Sequence, residues 1–186
     1  MAIVGKKFPN LQVNAMNDMG DTFKINVFEE AKNNAKTVLL FWYPKDFTFV
    51  CPTEIKEFAD LNGEFSDRDT VVLGGSTDNE FCKLAWRREH KDLRKLDQWS
   101  FADTNGSLID GLGVRDLNAG VALRATYIVD PDNVIQHVSV NNLNVGRSPK
   151  EVLRILDGLQ TNELCACNRP VGGDTLNGNE EDRKAA

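Results

Sequence analysis

Two stretches of the chain are apolar with little interruption. Residues 36–43, KTVLLFWY, mix β-branched and aromatic side chains, and residues 70–76, TVVLGGS, form a second, shorter run. Such runs predict strands buried on both faces. Between them, over residues 52–65, Ile55, Phe58, Ala59, Asn62 and Phe65 recur on one side at helical spacing, Asn62 being the polar exception. Thr77 and Glu80 have the T-x-x-E spacing of a capping box and predict a helix with Phe81, Leu84 and Ala85 inward. Residues 124–130 and 134–140 are strand-like and flank Asp130, Pro131, Asp132 and Asn133, which predicts a hairpin. Ser148, Pro149 and Glu151 open a last helix, with Val152, Leu153, Ile155, Leu156 and Leu159 on its inward face.

The order is strand, helix, strand, helix, an irregular stretch, a hairpin and a helix. The first β-α-β unit should be parallel and right-handed, and the hairpin antiparallel. The expected fold is α/β, a mixed central sheet flanked by helices in the order of the thioredoxin fold. Residues 1–35 should add a small strand and a helix. After about residue 161 the chain turns polar, rich in Gly and Asn, and acidic near its end. The expected division is a domain over 1–160 and a tail over 161–186 that packs poorly on it.

Charge narrows the function classes. The 186 residues carry a net charge of -6. Nucleic acid and anionic membranes favour a basic face, so neither is expected as the main partner. No apolar run approaches the roughly 20 residues of a membrane span. MAIVGKKFPNLQV lacks the apolar core and cleavage site of a signal peptide, so a cytoplasmic location is expected.

The four cysteines are Cys51, Cys82, Cys165 and Cys167. In a cytoplasmic chain, cysteines are more often catalytic, metal-binding or buried than a disulfide framework. Cys51 falls where the first long strand hands over to a helix. Pro52 suits only the first turn, which places the helix start near Cys51. Helix N-termini bring unsatisfied N–H groups and partial positive charge, and both favour a thiolate. Thr48 can offer a hydroxyl to the sulfur or to a substrate oxygen. The alternative is a cysteine that merely packs in the core. Position 54, where a C-x-x-C dithiol would have its second cysteine, is Glu54. Cys82, inside a helical run, reads as a packed or semi-buried thiol. Cys165 and Cys167 form C-x-C in the tail, where packing gives little reason for them. With His90 and His137 far apart in sequence they make a poor zinc set, and no metal or cofactor is expected.

The segment FWYPKDFTFVCPTEI resembles the active-site segment of the peroxiredoxins, whose P-x-x-x-T-x-x-C pattern falls here on Pro44, Thr48 and Cys51. ALRATYIVDPDNVIQHVSVNNLNVGRSPKEVLRIL and the tail ELCACN extend the match over nearly the whole chain. The most similar type is the typical two-cysteine peroxiredoxin, and within it the bacterial alkyl hydroperoxide reductase C group. The resemblance implies that Cys51 is the peroxidatic cysteine, with Thr48 bonding the peroxide and Pro44 shielding the sulfur. It implies an active-site arginine in Arg124, oriented by Glu54 and Arg147, and a resolving cysteine in Cys165. Two departures stand out. The usual V-C-P around the resolving cysteine is L-C-A-C here, which makes Cys167 a second resolving candidate. The G-G-L-G loop and C-terminal Y-F helix of oxidation-sensitive members have no counterpart, and Gly111, Leu112 and Gly113 read instead as a helix end.

The implied reaction is reduction of hydrogen peroxide and organic hydroperoxides through a sulfenic acid and an intersubunit disulfide. A disulfide reductase would then restore the thiols: an alkyl hydroperoxide reductase D-like protein, thioredoxin or a flavoprotein. The resemblance also implies a homodimer and a ring of dimers. Rival readings are a thioredoxin-like disulfide reductase, a holdase chaperone, and a cysteine hydrolase using His90 or His137.

Overall fold

The computed structural model describes residues 3–34 and 36–176. Its contacts divide into two units, residues 1–147 and 148–186. The first unit opens with β1 (Gln12–Met16) and β2 (Thr22–Asn26), an antiparallel hairpin, followed by α1 (Val27–Asn34). Sequence reasoning expected one strand here. The second escaped notice because β2, TFKIN, buries only Ile25 and so carries almost no apolar signal.

The apolar runs form the centre of the sheet. β3 (Thr37–Trp42) pairs in parallel with β4 (Thr70–Ser76), matching Leu40 to Leu73 and Phe41 to Gly74. Between them lie α2 (Cys51–Asp60) and α3 (Asn62–Ser66), where one helix over 52–65 was expected. The break falls at Leu61, ahead of Asn62 and Gly63, two poor helix formers. Phe58 and Phe65 are nonetheless fully buried, as the spacing required.

α4 (Glu80–Glu89) departs from expectation twice. Its N-cap is Asn79, whose side chain accepts from the Cys82 amide at 2.8 Å, rather than Thr77. Its inward face is Lys83, Trp86 and Arg87, while Phe81 is 66% exposed and Ala85 is exposed. The inward charges find buried partners, so the usual apolar criterion pointed to the wrong side. β5 (Trp99–Ala102), α5 (Ser107–Gly111), β6 (Arg115–Asp116) and β7 (Val121–Ala122) occupy the stretch read as irregular. Gly113, at φ +69, follows the end of α5, as its motif suggested. β8 (Arg124–Val129) and β9 (Ile135–Asn141) form the expected hairpin.

The seven-stranded sheet runs β2-β1-β5-β4-β3-β8-β9, with β3, β4 and β5 parallel and the other pairs antiparallel. Gly74 and Gly75 are needed at its centre. A Cβ on Gly74 would come within 2.4 Å of the Phe41 ring, and one on Gly75 within 2.5 Å of Phe101. The space lets Phe41 stack on Phe58 of α2 at 4.1 Å between ring centres. Cys51 begins α2 just past the carboxyl end of β3, and Arg124 begins β8, antiparallel to β3, at the same end.

The second unit holds α6 (Pro149–Gln160), capped by Ser148, which accepts from the Glu151 amide at 3.4 Å. Val152, Leu153 and Leu156 are its buried residues. The described part of the tail, residues 161–176, is better tied than its composition suggested. Arg169, buried, pairs with Asp157 at 2.6 Å, and the Gly172 amide donates to the same carboxylate at 3.0 Å. Among the described residues no helix is long and apolar enough to cross a membrane.

Candidate active site

Cys51 is the first residue of α2 and is 1% exposed. The preceding Val50 provides no side-chain cap, so the polar chemistry around the sulfur comes from outside the helix. It comes from Arg124, whose Nη1 lies 3.5 Å from Sγ. That guanidinium is fixed on two other sides. Nη1 also donates to Glu54 Oε2 at 2.6 Å, and Nε to the Leu143 carbonyl at 2.7 Å.

Glu54 is one helical turn beyond Cys51 and is 3% exposed. Its other oxygen, Oε1, accepts from both the backbone amide and Nε of Arg147 at 2.9 Å. Arg147 donates further to the Ala125 carbonyl at 2.9 Å, and its guanidinium lies 5.3 Å from the centre of the Phe41 ring. Burial pulls the Arg147 proton affinity down, and the Glu54 hydrogen bond opposes this. One carboxylate between two guanidiniums leaves one positive charge buried beside Cys51. That charge is placed to stabilise negative charge at the sulfur.

The loop from β3 to α2 places the other two predicted residues. Pro44 is buried at its start. Thr48 is partly exposed and donates through Oγ1 to the Lys45 carbonyl at 3.0 Å. Its single hydroxyl hydrogen is committed there, which leaves the oxygen as an acceptor rather than the donor first considered.

Cys82 is partly buried and its thiol is pushed up to about 11, first by burial and then by the Asp46 carboxylate. Cys165 and Cys167 are exposed in the second unit. The Cys165 sulfur lies 3.7 Å from the Gly158 and Glu163 carbonyls and 3.5 Å from Thr161 Oγ1. His90 caps the end of α4 against Trp86, and His137 lies within β9. Arginine, not histidine, faces the Cys51 sulfur, and a guanidinium cannot act as the general base of a cysteine hydrolase. No group of three or more metal-ligating side chains occurs among the described residues. Sequence reasoning missed the buried Asp46 within the loop and the buried Lys83 of α4 that meets it, although Asp46 lies within the quoted FWYPKDFTFVCPTEI.

Residues 4–138 match the model of the AhpC/TSA family. The chain belongs to this family. It is 46% identical to alkyl hydroperoxide reductase C of Mycolicibacterium smegmatis, over 95% of this chain and 94% of the relative. Among solved structures, Mycobacterium tuberculosis AhpC is 43% identical with a TM-score of 0.79, covering 89% of this chain and 97% of that one. The reduced 2-Cys peroxiredoxin of Plasmodium vivax is 31% identical with a TM-score of 0.87, covering 94% and 93%. These neighbours bear out the α/β, thioredoxin-like fold for this AhpC/TSA family member.

Proposed function

We propose that the chain is a thiol-dependent peroxidase that reduces hydrogen peroxide and organic hydroperoxides through Cys51. The observation that carries this is the buried Cys51 sulfur at a helix start, 3.5 Å from an arginine locked by Glu54. The thiolate of Cys51 attacks the terminal oxygen of R–O–O–H, and the O–O bond breaks. Arg124 stabilises the negative charge growing on the leaving oxygen, which departs as an alkoxide and takes a proton from solvent. Thr48 Oγ1 accepts the hydroxyl hydrogen of the bound peroxide, and Pro44 keeps water from the sulfur. Glu54 and Arg147 hold Arg124 in register.

The product is the Cys51 sulfenic acid. Cys165 of a second copy condenses with it, forming the disulfide and releasing water. A dithiol reductase then restores both thiols by exchange. Cys167, two residues on, is the alternative resolving thiol. The reductant is an alkyl hydroperoxide reductase D-like protein, thioredoxin or a flavoprotein, the working assembly is a ring of homodimers, and the setting is the cytoplasm. A disulfide reductase is disfavoured because Glu54 fills the place of a second cysteine with a carboxylate committed to two arginines.

The test is peroxide consumption with dithiothreitol as reductant. Cys51→Ser abolishes turnover. Near-native consumption by this variant would overturn the assignment.

A further inference from the structure

Lys83 is 2% exposed, so its ammonium depends on protein partners. It donates to Ser76 Oγ at 2.6 Å, Tyr43 Oη at 3.2 Å and Asp46 Oδ1 at 3.3 Å. Three donors thus meet three acceptors on three segments, and the capacity of the ammonium is used completely. Two of those segments, the end of β3 and the loop after it, lead directly to Cys51.

Asp46 sits in that loop between Pro44 and Thr48 and is 7% exposed. Its amide donates to Asp78 Oδ2 at 2.8 Å, and the same oxygen accepts from Ser76 at 2.9 Å. The next residue, Phe47, has φ +55. A bulky side chain in the left-handed region is strained, and persists only where its surroundings over-determine it. α4 supplies the hold on both residues: Lys83 grips Asp46, and Trp86 meets the Phe47 ring at 5.8 Å. Thr48 follows immediately, so its position depends on this anchored, strained step.

We propose that Lys83 is a positioning residue for peroxide reduction: through its buried ion pair with Asp46 it sets the loop so that Thr48 Oγ1 stands where the peroxide hydroxyl is accepted. The inference rests on the peroxidase reading of Cys51. It separates two properties of the site. The Arg124–Glu54–Arg147 cluster governs the sulfur, whereas Lys83 and Asp46 govern where the oxidant lies against it.

The experiment measures two rates at Cys51 by rapid mixing and peptide mass spectrometry: oxidation by hydrogen peroxide and alkylation by iodoacetamide. Lys83→Met slows oxidation about 10- to 100-fold, the scale of a displaced positioning group, while alkylation stays within about twofold. Adding Thr48→Val to Lys83→Met brings little further loss, because both act through one oxygen. If Lys83→Met does not fold, the double variant Lys83→Met with Asp46→Asn leaves no unpaired buried carboxylate, and the same pattern is expected of it. An unchanged oxidation rate, an equal fall in oxidation and alkylation, or fully additive losses with Thr48→Val would each overturn the proposal. If the unaltered protein shows no oxidation of Cys51 by peroxide, the peroxidase reading fails and takes this proposal with it.

Discussion

Cys51 is buried and Cys82 partly so, and their neighbours differ in sign. Cys51 faces the Arg124 guanidinium, whereas Cys82 lies near the Asp46 and Asp78 carboxylates. Burial first and Asp46 second push the Cys82 thiol up to about 11. A raised value favours the protonated form at every lower pH, so at pH 8 only roughly one Cys82 in a thousand is a thiolate, the species that reacts. Iodoacetamide at pH 8 therefore labels the exposed Cys165 and Cys167 well before Cys82, whose labelling rises about tenfold per pH unit and levels off only above about 11. Peptide mass spectrometry of a labelling time course reads this directly. Equal labelling of Cys82 and the tail cysteines at pH 8 would contradict the assignment. The local motif around Cys51 was legible in the sequence because the helix start, Pro52 and Thr48 lie within a few residues of it. The opposite environment of Cys82 was not, because Asp46 reaches it only through the fold.

Glu54 joins three elements by one side chain. It projects from α2, accepts from Arg124 at the start of β8, and accepts from Arg147 just after β9. Glu54→Gln keeps the shape but leaves two buried guanidiniums without their shared anion. The expected loss of folding stability is about 3–5 kcal/mol, the scale of breaking a buried ion pair from one side. Urea denaturation checks the stability, and the peroxide oxidation rate of Cys51 falls with it as Arg124 loses its register. A variant with unchanged midpoint and rate would show that the clamp is idle. Sequence reasoning found the surrounding elements with uneven success. β3, β4 and the β8–β9 hairpin were legible because buried strands write continuous apolar runs or turn residues into the chain. β2 and β5 were not: β2 buries one residue of five, and β5, though mostly buried, is only four residues long with Ser100 interrupting its apolar run. The inward face of α4 was misread for a related reason. Its buried positions carry Lys83 and Arg87, whose burial is made tolerable by partners that include Asp46, Ser76 and Tyr43 for Lys83 and Gln98 and Ser100 for Arg87.

At the scale of the whole molecule, the proposed cycle needs a second thiol, and the two compact units divide the chemistry. The first holds the Cys51 site, and the second holds Cys165 and Cys167. Both tail cysteines are exposed, so neither has a packing role that would account for it. They differ in their attachment: the Cys165 sulfur lies against the carbonyls of Gly158, at the end of α6, and of Glu163. That contact gives Cys165 a defined starting position, which favours it as the thiol that meets the sulfenic acid first. With one equivalent of peroxide and no reductant, the unaltered protein runs on a non-reducing gel as a disulfide-linked dimer. Cys165→Ser abolishes that band, while Cys167→Ser leaves it. A dimer that survives Cys165→Ser but not Cys167→Ser would move the resolving role two residues along. Survival in both single variants and loss in the double variant would make the pair interchangeable. Monomer throughout, with Cys51 held as sulfenic acid, would mean that no tail thiol reaches the oxidised sulfur and that the resolving step belongs to a separate thiol.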